Sequence, residues 1–216
     1  MEPLARAAAG VRPEQLSRFL PPPPEEPTRQ SAVLMLFGEG PSGPDLLLIE
    51  RAHALRSHAG QPAFPGGAVD PGDSGPVGAA LREAVEETGL DPAGVEVVAT
   101  LPALYLPPSR FVVVPVVGWW RKPSAVRAVD AAEVAAVVRV PLAELIDPVN
   151  RLSVRHPSGY VGPAFRVRGL LVWGFTAGLV SRLLALAGLE RPWDVGRVEE
   201  MVVPSHGRCD GNEVRP

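Results

Sequence analysis

Three carboxylates, Glu83, Glu86 and Glu87, stand at positions i, i+3 and i+4 of the run Arg82-Glu83-Ala84-Val85-Glu86-Glu87-Thr88-Gly89-Leu90. On a helix those spacings share one face, and like charges so crowded repel by roughly a few tenths of a kcal/mol per pair. A hard divalent cation would offset that repulsion, because Mg²⁺ takes oxygen ligands and shares them with substrate phosphates. A solvated acidic face is the plainer alternative, and the charge pattern alone favours it. The upstream residues Phe64-Pro65-Gly66-Gly67 reverse the balance. Two glycines make a tight turn where backbone can approach a ligand closely. A glycine turn feeding an acidic helix points to metal and phosphate chemistry.

The elements that must carry these groups follow from the apolar pattern. Val77, Ala80, Leu81, Ala84, Val85 and Thr88 recur at helical spacing and form a stripe, while Arg82, Glu83, Glu86 and Glu87 fall largely on the opposite side. Ser74 or Asp73 suits the N-cap, Pro76 the first turn and Gly89 the C′ position.

Residues 67–90 resemble the Nudix box, G-x5-E-x7-R-E-U-x-E-E-x-G-U. Gly67, Arg82, Glu83, Glu86, Glu87, Gly89 and Leu90 occupy its fixed positions, and Asp73 replaces the first glutamate. Eight residues rather than seven separate Asp73 from Arg82, and Ala84 is smaller than the usual aliphatic. A second segment, residues 47–67, is similar to LLxxRxxxLRxHxGQxxFPGG, which marks the coenzyme A pyrophosphatase branch of Nudix hydrolases. The stretched box and its aspartate are also typical of that branch. Ser109-Arg110-Phe111 and Val172-Trp173-Gly174-Phe175-Thr176-Ala177 are weaker landmarks. The resemblance implies an α/β fold, a Nudix-type α/β/α sandwich with a mixed β-sheet. It implies an enzyme that uses Mg²⁺ or Mn²⁺ to cleave coenzyme A or acyl-coenzyme A into 3′,5′-ADP and (acyl-)4′-phosphopantetheine. Another nucleoside diphosphate derivative, such as ADP-ribose or a dinucleotide, is the alternative substrate. A non-catalytic nucleotide-binding protein ranks below both, since all three helix glutamates are present.

Hydrolysis of a phosphoanhydride needs charge neutralised on phosphate oxygens and an activated water, and divalent cations serve both ends. Glu83 and Glu87 are the principal candidate metal ligands, with Glu86 sharing coordination or holding a second ion. Arg82 precedes Glu86 by four residues, the spacing of a helical ion pair, and by resemblance it orients a catalytic glutamate. Arg82, Glu83, Glu86 and Glu87 form the candidate catalytic set. Gly66 and Gly67 would bring backbone to the metal. The general base is either a helix glutamate or Glu133, for which an exposed acid before a strand is an equal reading. Arg51, Arg56, His58 and Gln61 lead into the glycine turn and are candidate substrate contacts, arginine forks being suited to phosphate. Pairing of the arginines with Glu50 or Asp70 is the even alternative, and His58 could equally be a hydrogen-bonded loop residue.

Composition bounds the rest. The 216 residues fit one domain with a full core, and 46% are hydrophobic. A net charge of −3 argues against non-specific nucleic-acid binding. No apolar run approaches the roughly 20 residues of a membrane span, and the N-terminus lacks an apolar signal core. The single cysteine, Cys209, cannot form an internal disulfide, so a cytoplasmic location is expected. The oligomeric state is open. Residues 1–30 are expected to form a loosely attached arm, with a short helix at 13–20 and a polyproline stretch at 21–24. The Nudix domain should span 31–203 and a disordered tail 204–216. Within the domain, 31–37 and 45–51 should form a hairpin, with strands at 95–101, 111–120 and 134–140 and a helix at 173–187 stopped by Gly188. Pro115 predicts a bulge or edge in its strand.

Overall fold

The computed structural model describes residues 2–16, 29–55, 58–106 and 110–201. Two helices, α1 (Glu2–Gly10) and α2 (Pro13–Leu16), precede a hairpin of β1 (Arg29–Gly40) and β2 (Gly43–Arg51). Short strands β3 (Pro62–Ala63) and β4 (Gly66–Ala68) lead to helix α3 (Pro76–Thr88). Strands β5 (Val95–Thr100), β6 (Leu104–Leu106), β7 (Phe111–Trp120) and β8 (Val134–Pro141) follow, then helix α4 (Leu142–Ile146). The last third holds β9 (Arg151–Arg155), β10 (Val161–Val167), β11 (Leu170–Val172), helix α5 (Gly174–Leu186) and β12 (Val198–Glu200).

Strand β1 organises the molecule. It runs parallel to β7 and antiparallel to β2 and β4, so the sheet is mixed. Its side chains alternate between faces, as strand geometry requires. Leu34 and Leu36 pack with Leu47, Val116 and Trp120 against Ala79, Ala80 and Ala84 of α3. Met35 and Phe37 pack the other way with Leu46, Leu48 and Val117 onto α1, α4 and α5. Helices therefore cover both faces. Three alanines at the α3 contact let that helix sit close to the sheet, and Ala84 is fully buried there.

The predicted hairpin forms, with register from Phe37↔Leu46 to Gly40↔Gly43. Beyond that pairing β1 and β2 diverge, and the glycine loop fills the fork between them. Strand β3 pairs with Ile49 and Glu50 of β2, while β4 pairs with Ser31–Val33 of β1.

Several expectations are corrected. The described part of the N-terminal arm, residues 2–16, is docked rather than loose, because Leu4 and Ala8, one turn apart on α1, are buried in the main core with Leu16. Of the 13–20 helix only 13–16 is described; the 21–24 stretch and the 204–216 tail lie outside the described residues. Pro115 marks neither an edge nor a bulge. β7 is paired on both sides, and Pro115 falls between its pairing with β6 and its pairing with β5. Its carbonyl accepts from Leu101 N–H on that side, so the missing proline N–H faces the gap and removes no ladder bond. The cap of α3 is Gly75, with no side-chain bond from Ser74 or Asp73. Gly89 does adopt the left-handed C-cap, φ 68°, and its N–H donates to Val85 O. A second sheet, in the order β11-β10-β9-β12, was not foreseen.

Candidate active site

The three glutamates of α3 occupy three different environments. Glu87 is 6% exposed and lies on the buried side of the helix, not on a shared polar front. The Glu83 side chain is 19% exposed and that of Glu86 is 56% exposed. Burial is the largest influence on Glu87 and raises its carboxyl from 4.5 to about 7. The Gly66 N–H opposes this by donating to Glu87 Oε2 at 2.9 Å. The charges of Glu83 and Glu133 raise it further, and Arg51 lowers it. Burial also raises Glu83, against the hydrogen bond from Arg82.

Both glycines of the turn are required by contact. A Cβ on Gly66 would sit 2.3 Å from Ala32 O, and one on Gly67 would sit 2.2 Å from Glu83 Oε1. At Gly66 the nearest neighbours are backbone and leave no room for a methyl group, whereas at Gly67 a methyl group would have to push the Glu83 carboxylate aside. The glycines thus seat the half-buried Glu83 and the buried Glu87, a role beyond the expected backbone approach to a metal.

Arg82 is the hub. Its Nε and Nη2 grip Asp73 Oδ1 and Oδ2 at 2.9 and 3.1 Å. Its Nη1 donates to Glu83 Oε1 at 3.1 Å and to Glu86 Oε2 at 2.9 Å, the predicted helical pair. Nη2 also donates to Ala68 O at 3.0 Å, tying α3 to β4. A guanidinium supplies enough donors in one plane to do this; an ammonium does not. Asp73 additionally accepts from Asp70 N–H, and hydrogen bonding to Arg82 holds its carboxyl below the usual range. The aspartate of the stretched box is therefore the clamp for Arg82.

The upstream candidates separate. Arg51 ends β2; its Nε is buried without a hydrogen-bond partner among the described residues, and its charge reaches Glu87. It makes no ion pair with Glu50 or Asp70 among the described residues; His53 pairs with Glu50 instead. His58 and Gln61 are hydrogen-bonded to one another, Nδ1 to Oε1 at 2.8 Å, and His58 adopts φ 57°. They shape the turn, which also bonds Arg51 N–H to Gln61 O and Gly60 N–H to Arg51 O. Arg56 lies outside the described residues. Glu133, exposed before β8, accepts at its carbonyl from Ala52 N–H and lies within charge range of Glu87.

Among the described residues no group of three or more His, Cys, Asp or Glu converges as a ready metal cage. The donor set nonetheless fits a hard cation. Glu83 is half-buried and Glu87 buried, burial raises the carboxyl of each, and Glu83 is seated in a cradle that a Cβ at Gly67 would fill. Oxygen donors of this type suit Mg²⁺ or Mn²⁺.

A Nudix-domain family profile matches residues 27–160. The chain belongs to the Nudix family. A relative from Cronobacter sakazakii, named "Uncharacterized Nudix hydrolase NudL", is 44% identical over 171 residues, covering 76% of this chain and 85% of its own. The protein of that name from Escherichia coli strain K12 / DH10B is 40% identical over 169 residues, covering 75% and 84%. The crystal structure of a MutT/nudix family protein from Enterococcus faecalis superposes with a TM-score of 0.51 at 18% identity, covering 75% of this chain and 62% of that one. That likeness shows the fold. The Nudix assignment makes the chain a pyrophosphatase-type hydrolase of small nucleotide derivatives, a family that generally requires divalent cations. No described helix is long and apolar enough to cross a membrane.

Proposed function

We propose that this protein hydrolyses the diphosphate of coenzyme A or acyl-coenzyme A to 3′,5′-ADP and (acyl-)4′-phosphopantetheine, with Mg²⁺ or Mn²⁺. The observation that carries the reading is Arg51. The residue 47–67 segment, which distinguishes this branch by resemblance, delivers a cation beside Glu87 with a buried Nε that has no hydrogen-bond partner among the described residues. An arginine so placed suits a phosphate oxygen.

In this reading Glu83 and Glu87 hold the metal, and Glu86 shares it from the exposed side. The bound cation supplies charge for the phosphate oxygens and activates water. Arg82 fixes the rotamers of Glu83 and Glu86, and Asp73 fixes Arg82. Gly66 N–H orients the Glu87 carboxylate. Arg51 and Arg56 hold phosphate groups of the substrate, while His58 and Gln61 keep the turn that presents them.

The test compares coenzyme A, dephospho-coenzyme A, ADP-ribose and NADH with each metal, and identifies the products. Coenzyme A should show the highest kcat/KM and yield 3′,5′-ADP. Arg51→Ala should raise KM for coenzyme A about tenfold, the worth of one charged hydrogen bond. A higher kcat/KM for ADP-ribose or NADH would assign the protein to another nucleotide diphosphate.

A further inference from the structure

Two threonines show what is unusual about the start of α5. Thr88 bonds back to Ala84 O of its own helix at 2.6 Å, the common habit of a helical threonine. Thr176, in the first turn of α5 and 6% exposed, instead donates out of its helix to Pro62 O at 3.3 Å. The two residues are 114 apart in sequence. Pro62 opens β3, the near arm of the glycine loop.

The loop is pinned at successive points from there to the glutamate. Ala63 pairs with Ile49 of β2. Phe64 is buried in the same cluster as Ala177 and Leu179 of α5. Pro65 O accepts from Leu34 N–H at 2.8 Å. Gly66 N–H then reaches Glu87. Without the threonine hydroxyl, the Pro62 carbonyl has no hydrogen-bond partner on its α5 side among the described residues, and a buried polar group left unpaired is costly.

We propose that Thr176 is a positioning residue: its hydroxyl anchors the Pro62–Gly66 arm to α5, so that Gly66 N–H meets Glu87 in a fixed place. The proposal gives the Val172–Ala177 landmark a role in the reaction, and it rests on the reading that Glu87 serves the metal. Thr176→Val keeps the shape and removes the hydroxyl. Thr176→Ala is the second hydroxyl-free variant, and Thr176→Ser keeps the hydroxyl and drops the methyl.

Amide hydrogen exchange at Gly66 in the metal-free protein reads the anchor directly. Exchange should accelerate about fivefold in Thr176→Val and Thr176→Ala, the equivalent of one neutral hydrogen bond, and stay at the wild-type rate in Thr176→Ser. With metal and substrate, kcat should fall several-fold in the two hydroxyl-free variants while KM holds. Unchanged Gly66 exchange in Thr176→Val and Thr176→Ala overturns the proposal. Equal acceleration in Thr176→Ser also overturns it, by assigning the effect to packing. Mn²⁺ binding by wild type and Glu87→Gln is measured in parallel. Equal binding would sink the metal reading of Glu87, while the exchange data would still judge the anchor.

Discussion

Glu87→Gln should make the metal-free protein more stable while abolishing hydrolysis. The Glu87 carboxyl is raised from 4.5 to about 7, chiefly by burial. Below the lower value the group is protonated in folded and unfolded chains alike and costs nothing. As pH rises toward 7 the unfolded chain ionises first, so folding stability is progressively lost, and above about 7 the loss is complete. At about 1.36 kcal/mol per pH unit the interval amounts to ~3 kcal/mol. For a chain of this size that is roughly 6–12 °C in melting temperature. Glutamine carries no charge and keeps an acceptor for Gly66 N–H. With a chelator present, the variant should therefore exceed wild type by ~3 kcal/mol at pH 8 and by less than about 1 kcal/mol at pH 5. Urea unfolding at both pH values measures this. Adding Mg²⁺ or Mn²⁺ at pH 8 should then stabilise wild type and leave the variant unmoved. A stability difference that is the same at pH 5 and pH 8 would refute the assignment of a strained carboxyl to this position.

Other perturbations probe the supports. Arg82→Lys loses the fork that grips Asp73 on two atoms; kcat should drop about 10- to 100-fold with little change in KM, as for other residues that orient metal ligands. A drop of less than threefold would reduce Arg82 to a surface ion pair. Gly67→Ala places a Cβ against Glu83 Oε1, so Mn²⁺ affinity measured by titration should fall at least about tenfold, with the fold retained by circular dichroism. Arg151 is 1% exposed, bonded to Glu190 and Ser181, and flanked by the rings of Phe165 and Trp193. Because Glu190 keeps 32% of its side chain in solvent, Arg151→Met should cost about 2 kcal/mol, less than a fully buried pair. Its kcat at low temperature should be unchanged.

The parts of this fold that could be read from the chain are those whose signals are local. The hairpin turn, the period of α3 and the left-handed Gly89 are each set by a few adjacent residues. The Arg82–Glu86 pair could be read because helix geometry fixes which side chains meet at i+4. What could not be read depends on distant partners. Glu87 reads as part of a shared polar face until Gly66, 21 residues away, comes to lie against it. Asp73 reads as a cap because caps are local, whereas its true partner is nine residues on. The second sheet was hidden because β10 carries Gly162 and Pro163 directly after its first residue and alternates poorly, while β12 is three residues long and pairs with β9 across more than 40 positions. The burial of α1 follows the same rule: Leu4 and Ala8 make a stripe too short to notice until α5 supplies the surface beneath it.

The charge around α3 explains why the site can be stable and still need an ion. Arg82 answers Asp73, Glu83 and Glu86 from one side, and Arg51 acts on Glu87 from the other, so six acids, counting Asp70 and Glu133, face two guanidinium groups. Asp73 has its pair and stays ionised, Glu86 is half in solvent, and the surplus falls on Glu83 and Glu87. In the absence of metal, burial raises the Glu87 carboxyl to about 7, so below that pH its protonated form relieves the surplus. On the proposed metal reading, a divalent cation would take the place of that proton, and the free energy of ionising a buried carboxylate would then be supplied by coordination rather than by the fold. Metal affinity should therefore rise with pH as binding expels the Glu87 proton, and the slope should flatten above about pH 7. Isothermal titration in buffers of different ionisation enthalpy counts the protons released. Near one proton per metal at pH 6 and near none at pH 8.5 is the expected outcome; no proton release at pH 6 would place the metal elsewhere on the helix.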